Sequence, residues 1–206
     1  MFHFLGFFQQ AYNLSDSSNS LGVTTRFTAD VTCLDLSPDG AMLAAGSEDM
    51  TAKVVDVESY KDTLFQGHSA PIRSVALDPK KEFLLTSSCD GAVKVWSLAK
   101  SDKEVKNLTN QWATSNDVTS SKTPGVLAWS PDGAMFAVPG QASVKLYARE
   151  SWAQTKELRF KLDDGELFGC VKVKDDYVVA GTTKGRVVVW DIDSGNVQYQ
   201  VKFTSS

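Results

Sequence analysis

The sequence predicts an all-β fold, a β-propeller of about four blades, because one sheet-forming unit recurs along the chain. Each copy holds three short apolar runs separated by turn-forming residues, and an apolar or aromatic anchor closes the third run. The anchors are 41, 51 and 43 residues apart, and they are Val55, Trp96, Tyr147 and Trp190. A spacing of roughly 40–45 residues with four strands in each copy is typical of propeller blades. Helical spacing of apolar residues is nowhere strong.

Two of the connections carry the residues that a tight hairpin turn requires. They are Pro38-Asp39-Gly40 and Pro131-Asp132-Gly133. Proline presets φ, aspartate hydrogen-bonds its own backbone, and glycine accepts a positive φ. The runs between turns are rich in Val, Leu and Ala, and their alternation is only partial. Partial alternation is expected for strands that neighbouring blades cover on both faces.

Each blade also needs an outer fourth strand, and the chain offers one for every copy. Candidates lie at Lys61–Phe65, Trp152–Phe160 and Val197–Phe203, with the second blade's outer strand between Ala99 and Gly125. We therefore expect repeats near residues 31–65, 72–109, 126–160 and 167–203.

A further strand-like segment, Thr24–Thr28, precedes the first repeat. A fifth outer strand implies a blade before the first, so we interpret residues 23–206 as an incomplete arc of a larger ring, such as a seven-bladed ring. A closed ring of four blades is the alternative. Residues 1–22 begin with an apolar stretch and continue with a stretch rich in Ser, Asn and Asp. This composition predicts an atypical, flexible N-terminal segment.

Composition argues against several classes of protein. Of the 206 residues, 42% are hydrophobic and 22% are charged, which is ordinary for a folded soluble domain. The net charge of -4 repels phosphate, so sequence-independent nucleic-acid binding is not expected. Three cysteines without a CxxC pair and two histidines indicate neither a disulfide framework nor a zinc site. We expect no metal, no other cofactor, no small-molecule substrate and no membrane-spanning segment.

One blade carries a full set of polar side chains that resembles the WD-repeat pattern. In that pattern a histidine, a hydroxyl residue, an aspartate and a tryptophan form a buried hydrogen-bonded chain. The corresponding residues here are His68, Ser88, Asp90 and Trp96. Polar groups buried between strands must find partners or they cost stability, so we predict a structural tetrad in a WD40 propeller.

Catalytic interpretations of the same residues are weaker. His68 beside Asp90 could act as a base, but the repeat places no nucleophile next to it. Asp191-x-Asp193-x-Gly195 departs from a calcium loop because the glycine comes too early and no glutamate follows at the twelfth position. A hairpin turn explains it better, and we expect a protein that is not an enzyme.

The three cysteines have different expected environments. Cys33 and Cys170 occupy the same position in the first and the fourth repeats. Equivalent positions on non-adjacent blades do not meet, so we expect no disulfide between them. We expect both to be small buried core residues. Cys89 follows a second strand and is expected to be more exposed, with no cationic neighbour.

A candidate partner-binding surface follows from the loop order. In WD propellers the loops that join the outer strand to the next blade, and the second strand to the third, line one rim of the ring. In this chain those loops contain Asp30, Thr32, Glu48, Arg73, Cys89 and Thr183. A solvated loop rim without a binding role is the alternative, since no cluster of aromatic anchors marks a hot spot.

Several strings also resemble one particular family. They are RFT at Arg26–Thr28, LAAGSED at Leu43–Asp49, KVVDV at Lys53–Val57, GHSAPIRSVALDPK at Gly67–Lys80, SSCDGAVKVW at Ser87–Trp96 and SVKLYARESW at Ser143–Trp152. Together they resemble the N-terminal WD propeller of the WD-repeat and HMG-box DNA-binding protein family. KVVDV and SVKLYARESW are the more specific strings.

The resemblance implies a nuclear adaptor of the replication fork. Members of that family link the replicative helicase to DNA polymerase alpha on chromatin, in DNA replication, repair and cohesion. The resemblance implies protein partners of that kind and indirect association with chromatin. Contacts attributed to the family's middle domain are not carried over to this segment. A WD scaffold or substrate receptor of another pathway, such as ubiquitin ligation, is the alternative.

Overall fold

A computed structural model describes residues 9–13, 16–99, 103–108 and 125–203, with side chains from residue 26 onward. Every regular element in these ranges is a β-strand. Sixteen strands form four antiparallel sheets of four, and each sheet follows the order of its strands in the chain. The predicted all-β, four-bladed propeller arrangement is confirmed. The part of the chain that the structure describes contains no helix long and apolar enough to cross a membrane.

The strand bounds are as follows. An N-terminal pair comprises β1 (Gln9–Asn13) and β2 (Asp16–Thr25). Blade 1 comprises β3 (Val31–Leu36), β4 (Met42–Ser47), β5 (Ala52–Asp56) and β6 (Asp62–Phe65). Blade 2 comprises β7 (Ile72–Leu77), β8 (Phe83–Ser88), β9 (Val93–Ser97) and β10 (Glu104–Leu108). Blade 3 comprises β11 (Ala128–Trp129), β12 (Met135–Pro139), β13 (Ser143–Ala148) and β14 (Gln154–Arg159). Blade 4 comprises β15 (Phe168–Lys174), β16 (Tyr177–Thr182), β17 (Arg186–Asp191) and β18 (Val197–Lys202).

The structure describes two paired strands in the N-terminal segment. Strands β1 and β2 pair antiparallel in a sheet of their own, where the composition predicted flexibility. Strand pairing uses backbone groups, so a segment rich in Ser and Asn can form a hairpin. The predicted strand Thr24–Thr28 also shifts, because β2 ends at Thr25 and Phe27 is buried in the connection to blade 1.

The hydrophobic core lies between the blades. We call the face of a blade toward the preceding blade its leading face, and the face toward the next blade its trailing face. Three apolar clusters fill the seams between blades 1 and 2, 2 and 3, and 3 and 4. In the first seam Phe65 of blade 1 lies against Trp96 of blade 2, with ring centroids 5.8 Å apart. Both faces of an internal blade are therefore buried, which explains the incomplete alternation in the sequence.

Close approach at the first seam depends on a glycine. A Cβ added to Gly46 would lie 2.5 Å from the Ile72 side chain and 2.7 Å from Cys33 Sγ. A larger residue there would separate blades 1 and 2.

Hydrogen bonds also cross the seams near the inner strands. The main-chain N–H of Leu77 donates to Asp35 at 2.7 Å, and Thr32 Oγ1 donates to the Ile72 carbonyl at 2.7 Å. In the second seam the Leu127 N–H donates to Ser74 Oγ at 3.0 Å. Each of these bonds satisfies a polar group that would otherwise be buried unpaired.

A buried ion pair joins blades 2 and 3. Arg149 Nη1 donates to Asp78 at 2.7 Å, and the Asp78 side chain is fully buried. Arg149 Nη2 donates to the Glu82 carboxylate. The guanidinium lies over the Phe83 ring, with Arg149 Cζ 4.9 Å from the ring centroid. Removing one partner of such a pair leaves an uncompensated buried charge.

We therefore predict that Arg149→Met destabilises the protein by about 3 kcal/mol or more in urea unfolding, because Asp78 loses its counter-charge. Arg159→Met is the matched control. Arg159 also pairs with a glutamate, Glu157 at 2.8 Å, but its side chain is 79% exposed. The control should change stability by no more than about 0.5 kcal/mol. Equal effects of the two substitutions would contradict the assigned role of Arg149.

Candidate protein-binding rim and its support

A hydrogen-bonded chain of four side chains supports blade 2. His68 Nδ1 lies 2.8 Å from Asp90 Oδ2, and His68 Nε2 lies 2.7 Å from Thr86 Oγ1. Trp96 Nε1 donates to the same Thr86 oxygen at 2.8 Å. A carboxylate only accepts, so Nδ1 of a neutral ring donates to Asp90 and Nε2 accepts from Thr86. The chain ties the loop before β7 to strands β8 and β9.

Ser88 is not the hydroxyl member of this chain, so that part of the predicted tetrad is wrong. Thr86 and Ser88 lie on the same face of β8, and the sequence pattern permits either. Ser88 ends the strand, where its Oγ donates to the Ala70 carbonyl at 2.8 Å and accepts from the Asp90 N–H at 3.1 Å. Thr86 lies one pleat farther into the blade, within reach of the Trp96 indole.

Blade 1 keeps the aspartate of this set, as Asp49, and has apolar residues at the other three positions. The N–H groups of Thr28 and Ser69 donate to Asp49 and Asp90 at 2.8 and 2.9 Å, so the two loops correspond. That correspondence places Phe27 where blade 2 has His68. Likewise, Ala45 and Val55 occupy the places of Thr86 and Trp96 in the strand registers, and all three residues of blade 1 are buried. Because the histidine, the hydroxyl residue and the tryptophan are replaced together, and Asp49 still accepts from the Thr28 and Thr51 N–H groups, no member of the set loses its partner.

Two lysines of the same repeat position also hold this end of the blades. Lys94 Nζ donates to the Gly67 carbonyl at 2.9 Å, and Lys53 Nζ donates to the Arg26 carbonyl at 2.6 Å. Lysine recurs at this position of the third strand in blades 1 to 3, with Lys145 in blade 3. This recurrence of lysine is the signal in the sequence for the role.

Blades 3 and 4 have other residues at these positions. Tyr147 stands in the position of Trp96, and burial raises the pKa of its hydroxyl to about 12. In blade 4, Trp190 Nε1 donates to the Arg159 carbonyl of blade 3 at 3.3 Å. The buried Glu166 carboxylate accepts from the Asp163 N–H at 2.9 Å and from Thr182 Oγ1 at 2.5 Å.

The environment of Asp90 makes blade 2 sensitive to acid. Burial alone would raise the pKa of Asp90, but hydrogen bonds from His68 and from the Ser69 and Ala92 N–H groups outweigh it and lower the pKa to about 2. A carboxyl with a lowered pKa in the folded state stabilises the protein above its ordinary pKa. The contribution is lost as the pH falls toward the folded-state pKa.

We therefore predict a loss of about 2 kcal/mol of stability between about pH 5 and pH 2 that depends on Asp90. Asp90→Asn should lower stability at neutral pH and flatten this part of the stability curve. Urea unfolding measured across the pH range checks the prediction. An equally steep acid limb in the wild type and the variant would contradict it.

The hydroxyl assignment gives a second prediction. Thr86→Val keeps the shape of the side chain but leaves the Trp96 N–H without an acceptor and His68 Nε2 without its donor. We expect a destabilisation of about 1–3 kcal/mol in thermal or urea unfolding.

Thr155→Val is the control for this substitution. Thr155 is exposed, and its hydroxyl donates to the Leu146 carbonyl at 3.2 Å. Its replacement should change stability by about 0.5 kcal/mol at most. If Thr155→Val costs as much as Thr86→Val, the role given to Thr86 is wrong.

One contact repeats at the end of the propeller where the predicted rim lies. The N–H of the residue after the second strand donates to the loop before the first strand in three blades. These bonds are Glu48 to Asp30 at 2.9 Å, Cys89 to Pro71 at 3.0 Å and Thr183 to Leu167 at 2.9 Å. The two kinds of loop therefore meet at one end of each of these blades.

The predicted rim residues differ in how exposed their side chains are. Asp30 and Glu48 are exposed on blade 1, Thr183 is exposed on blade 4, and Arg73 and Cys89 are half-buried on blade 2. Thr32 is instead a structural residue, because its hydroxyl bonds the Gly46 carbonyl within blade 1 and the Ile72 carbonyl across the first seam.

The cysteines differ from expectation in two respects. Arg73 Nε donates to Cys89 Sγ at 2.9 Å, so Cys89 has a cationic neighbour after all. The two residues are far apart in the sequence and meet because their loops share one end of blade 2. Cys170 is exposed on blade 4, whereas Cys33 is half-buried in the first seam, where burial raises the pKa of its thiol. Among the described residues, no blade covers the trailing face of blade 4, where Cys170 lies exposed.

The acidic candidates occupy turns. Asp191 Oδ1 accepts from the Ser194 N–H at 2.7 Å and from its hydroxyl at 2.6 Å, as an aspartate at a hairpin turn does. Within the described ranges, no group of three or more His, Cys, Asp or Glu side chains could hold a metal ion.

Comparison with known proteins decides the family. The family model described as WDHD1 first WD40 domain matches residues 8–206. The chain belongs to the WDHD1 first WD40 domain family. The match to this WD40 family includes residues 8–22, which the composition had set apart from the propeller.

Vertebrate relatives of the WDHD1 family agree. The human protein named WD repeat and HMG-box DNA-binding protein 1 is 36% identical over 188 residues, covering 88% of this chain and 16% of that protein. The mouse protein of the same name is 37% identical over the same coverage. The Xenopus laevis protein is 35% identical over 178 residues, covering 83% of this chain and 15% of that protein. The chain thus spans about a sixth of the length of these relatives.

Proposed function

We propose that this chain is a non-catalytic adaptor that binds protein partners of the replication fork in the nucleus. Membership of the WDHD1 first WD40 domain family is the observation that carries the proposal. The side chains support a non-catalytic role, because the polar residues of blade 2 form hydrogen bonds that hold its own loops. DNA polymerase alpha and the replicative helicase are the proposed partners, and chromatin association is proposed to be indirect.

The proposed docking surface is the rim of blades 1 and 2. Asp30 and Glu48 supply exposed negative charge on blade 1, and Arg73 supplies a guanidinium on blade 2. Because Lys53, Lys94 and the Asp90 carboxylate fix the backbone beneath these loops, the rim is ordered before a partner arrives. An ordered surface loses little conformational freedom on binding, which favours affinity.

Mixed charge on the rim favours a partner segment that carries both signs. An acidic group of the partner would face Arg73, and a basic group would face Asp30 or Glu48. Complementary charges of this kind fix the orientation of a complex and speed its formation. The proposed role therefore needs no catalytic group.

We predict that the full chain, expressed in S-phase cells with a proximity label, enriches polymerase alpha and helicase subunits. The paired variant Glu48→Ala with Arg73→Ala should reduce that enrichment several-fold, because it removes one charge of each sign from the rim. Labelled proteins are quantified by mass spectrometry.

Lys80→Ala with Glu150→Ala is the matched control, since both residues are exposed in turns at the opposite end of blades 2 and 3. It should leave the enrichment unchanged. Enrichment of ubiquitin-ligase subunits in place of replisome subunits would contradict the proposal, and so would equal losses in the rim and control variants.

A further inference from the structure

Four aspartates of this chain are followed directly by glycine, the dipeptide at which aspartate isomerises most readily. They are Asp39, Asp90, Asp132 and Asp164. Glycine favours the reaction because it has no Cβ to hinder attack by its main-chain nitrogen on the preceding side chain. The four dipeptides are identical in sequence, but the fold holds three of them differently from the fourth.

Three of the sites hold both reacting groups in hydrogen bonds. The glycine is the last residue of its turn, and its N–H donates to the carbonyl three residues earlier, at 2.8 Å from Gly40, 3.1 Å from Gly91 and 2.9 Å from Gly133. Each aspartate carboxylate accepts from the N–H of the alanine two residues later, at 3.1, 2.9 and 2.9 Å in the same order. Attack by the glycine nitrogen on the carboxyl group would first have to break both bonds.

At Asp164 the dipeptide occupies a different part of its turn. The turn runs from Asp163 to Glu166, whose N–H donates to the Asp163 carbonyl at 3.0 Å, so Asp164 and Gly165 are its two central residues. Gly165 has a φ of +67°, which the third position of such a turn requires. Its N–H is therefore not the donor of the turn. Among the described residues, neither this N–H nor the Asp164 carboxylate has a hydrogen-bond or ion-pair partner.

The surroundings of Asp164 also permit the reaction. Asp164 and Gly165 are both exposed, and a Cβ added to Gly165 would have no heavy atom within 4 Å, so a ring can form there without displacing a neighbour. Lys184 Nζ donates to the Asp164 main-chain carbonyl. That carbonyl belongs to the same amide as the Gly165 N–H, so the lysine makes this N–H easier to deprotonate.

We propose that Asp164 is a site of spontaneous isomerisation to isoaspartate in the folded chain. The Gly165 nitrogen bonds to Cγ of Asp164, and the amide proton leaves with the carboxyl hydroxyl as one water molecule. Water then opens the five-membered ring. Cleavage at the side-chain carbonyl restores aspartate, and cleavage at the main-chain carbonyl gives isoaspartate, in which the main chain runs through Cβ and Cγ. One water is lost and one is regained, so the reaction needs no oxidant and no other reactant.

Isoaspartate would alter the loop between β14 and β15. It adds a methylene to the main chain inside the turn that the Glu166 N–H closes. The Glu166 carboxylate is buried at the end of this turn, where it accepts from Thr182 Oγ1 at 2.5 Å and lies 3.3 Å from Arg186 Nε. The modification therefore acts on the contact between this loop and strands β16 and β17. The inference concerns blade 4 and is independent of the proposed partners.

Prolonged incubation of the folded full chain at physiological pH and temperature tests the proposal. Proteolytic peptides are analysed by electron-transfer fragmentation, which distinguishes isoaspartate from aspartate although their masses are equal. We expect isoaspartate to accumulate several times faster at Asp164 than at each of the other three sites.

Asp164→Glu should abolish the isoaspartate signal of its peptide, because glutamate would have to form a six-membered ring, which is much slower. Asp175→Glu is the matched control, since Asp175 is also exposed in a turn but is followed by Asp176 and not by glycine. It should leave the signal at Asp164 unchanged. A signal that persists in Asp164→Glu would overturn the assignment to Asp164.

The same chain unfolded in guanidinium chloride controls for the local sequence. All four sites should then react at similar rates, because the turns and their hydrogen bonds are lost. Similar rates at the four sites of the folded chain would overturn the proposal. An equal preference for Asp164 in the folded and unfolded chains would also overturn it, because the flanking sequence would then explain the preference without the fold.

Discussion

The fold depends on covering the apolar faces of each sheet with its neighbours. A four-stranded blade has two such faces, and neither can be buried within the blade itself. The three seams bury them in succession, with Phe65 against Trp96 in the first seam as one example. Stability in this architecture is therefore a property of pairs of blades, as it is in other repeat proteins. The same constraint leaves one face bare at each end of the arc.

Polar groups inside the seams are treated differently from blade to blade. Blade 2 connects His68, Thr86, Asp90 and Trp96 in one hydrogen-bonded chain. Blade 1 substitutes apolar residues at three of these positions and keeps only the aspartate, Asp49, which still receives its loop N–H groups. Both arrangements leave few orphaned polar atoms, so divergence of the repeat sequence does not mean loss of the blade.

The residues proposed to bind a partner are different from the residues that hold the blades together. The residues that hold the blades together lie in the seams, whereas the charged residues of the rim stand on loops at one end. Fold alone does not specify a partner, because WD propellers serve many pathways. The family match narrows the choice, and the chain represents about a sixth of the length of its vertebrate relatives.

The sequence by itself determined the number of blades, their approximate bounds and the residues that close each third strand, because a local repeat of turns and apolar runs encodes them. It also determined that His68, Asp90 and Trp96 belong together. Tertiary structure alone decided between Thr86 and Ser88, since both face the same way and only the position of the Trp96 ring separates them. It alone brought Arg73 to Cys89 and Arg149 to Asp78, because contacts between distant segments depend on how sheets pack. The pairing of β1 with β2 was missed for a related reason: it rests on backbone hydrogen bonds that composition does not reveal.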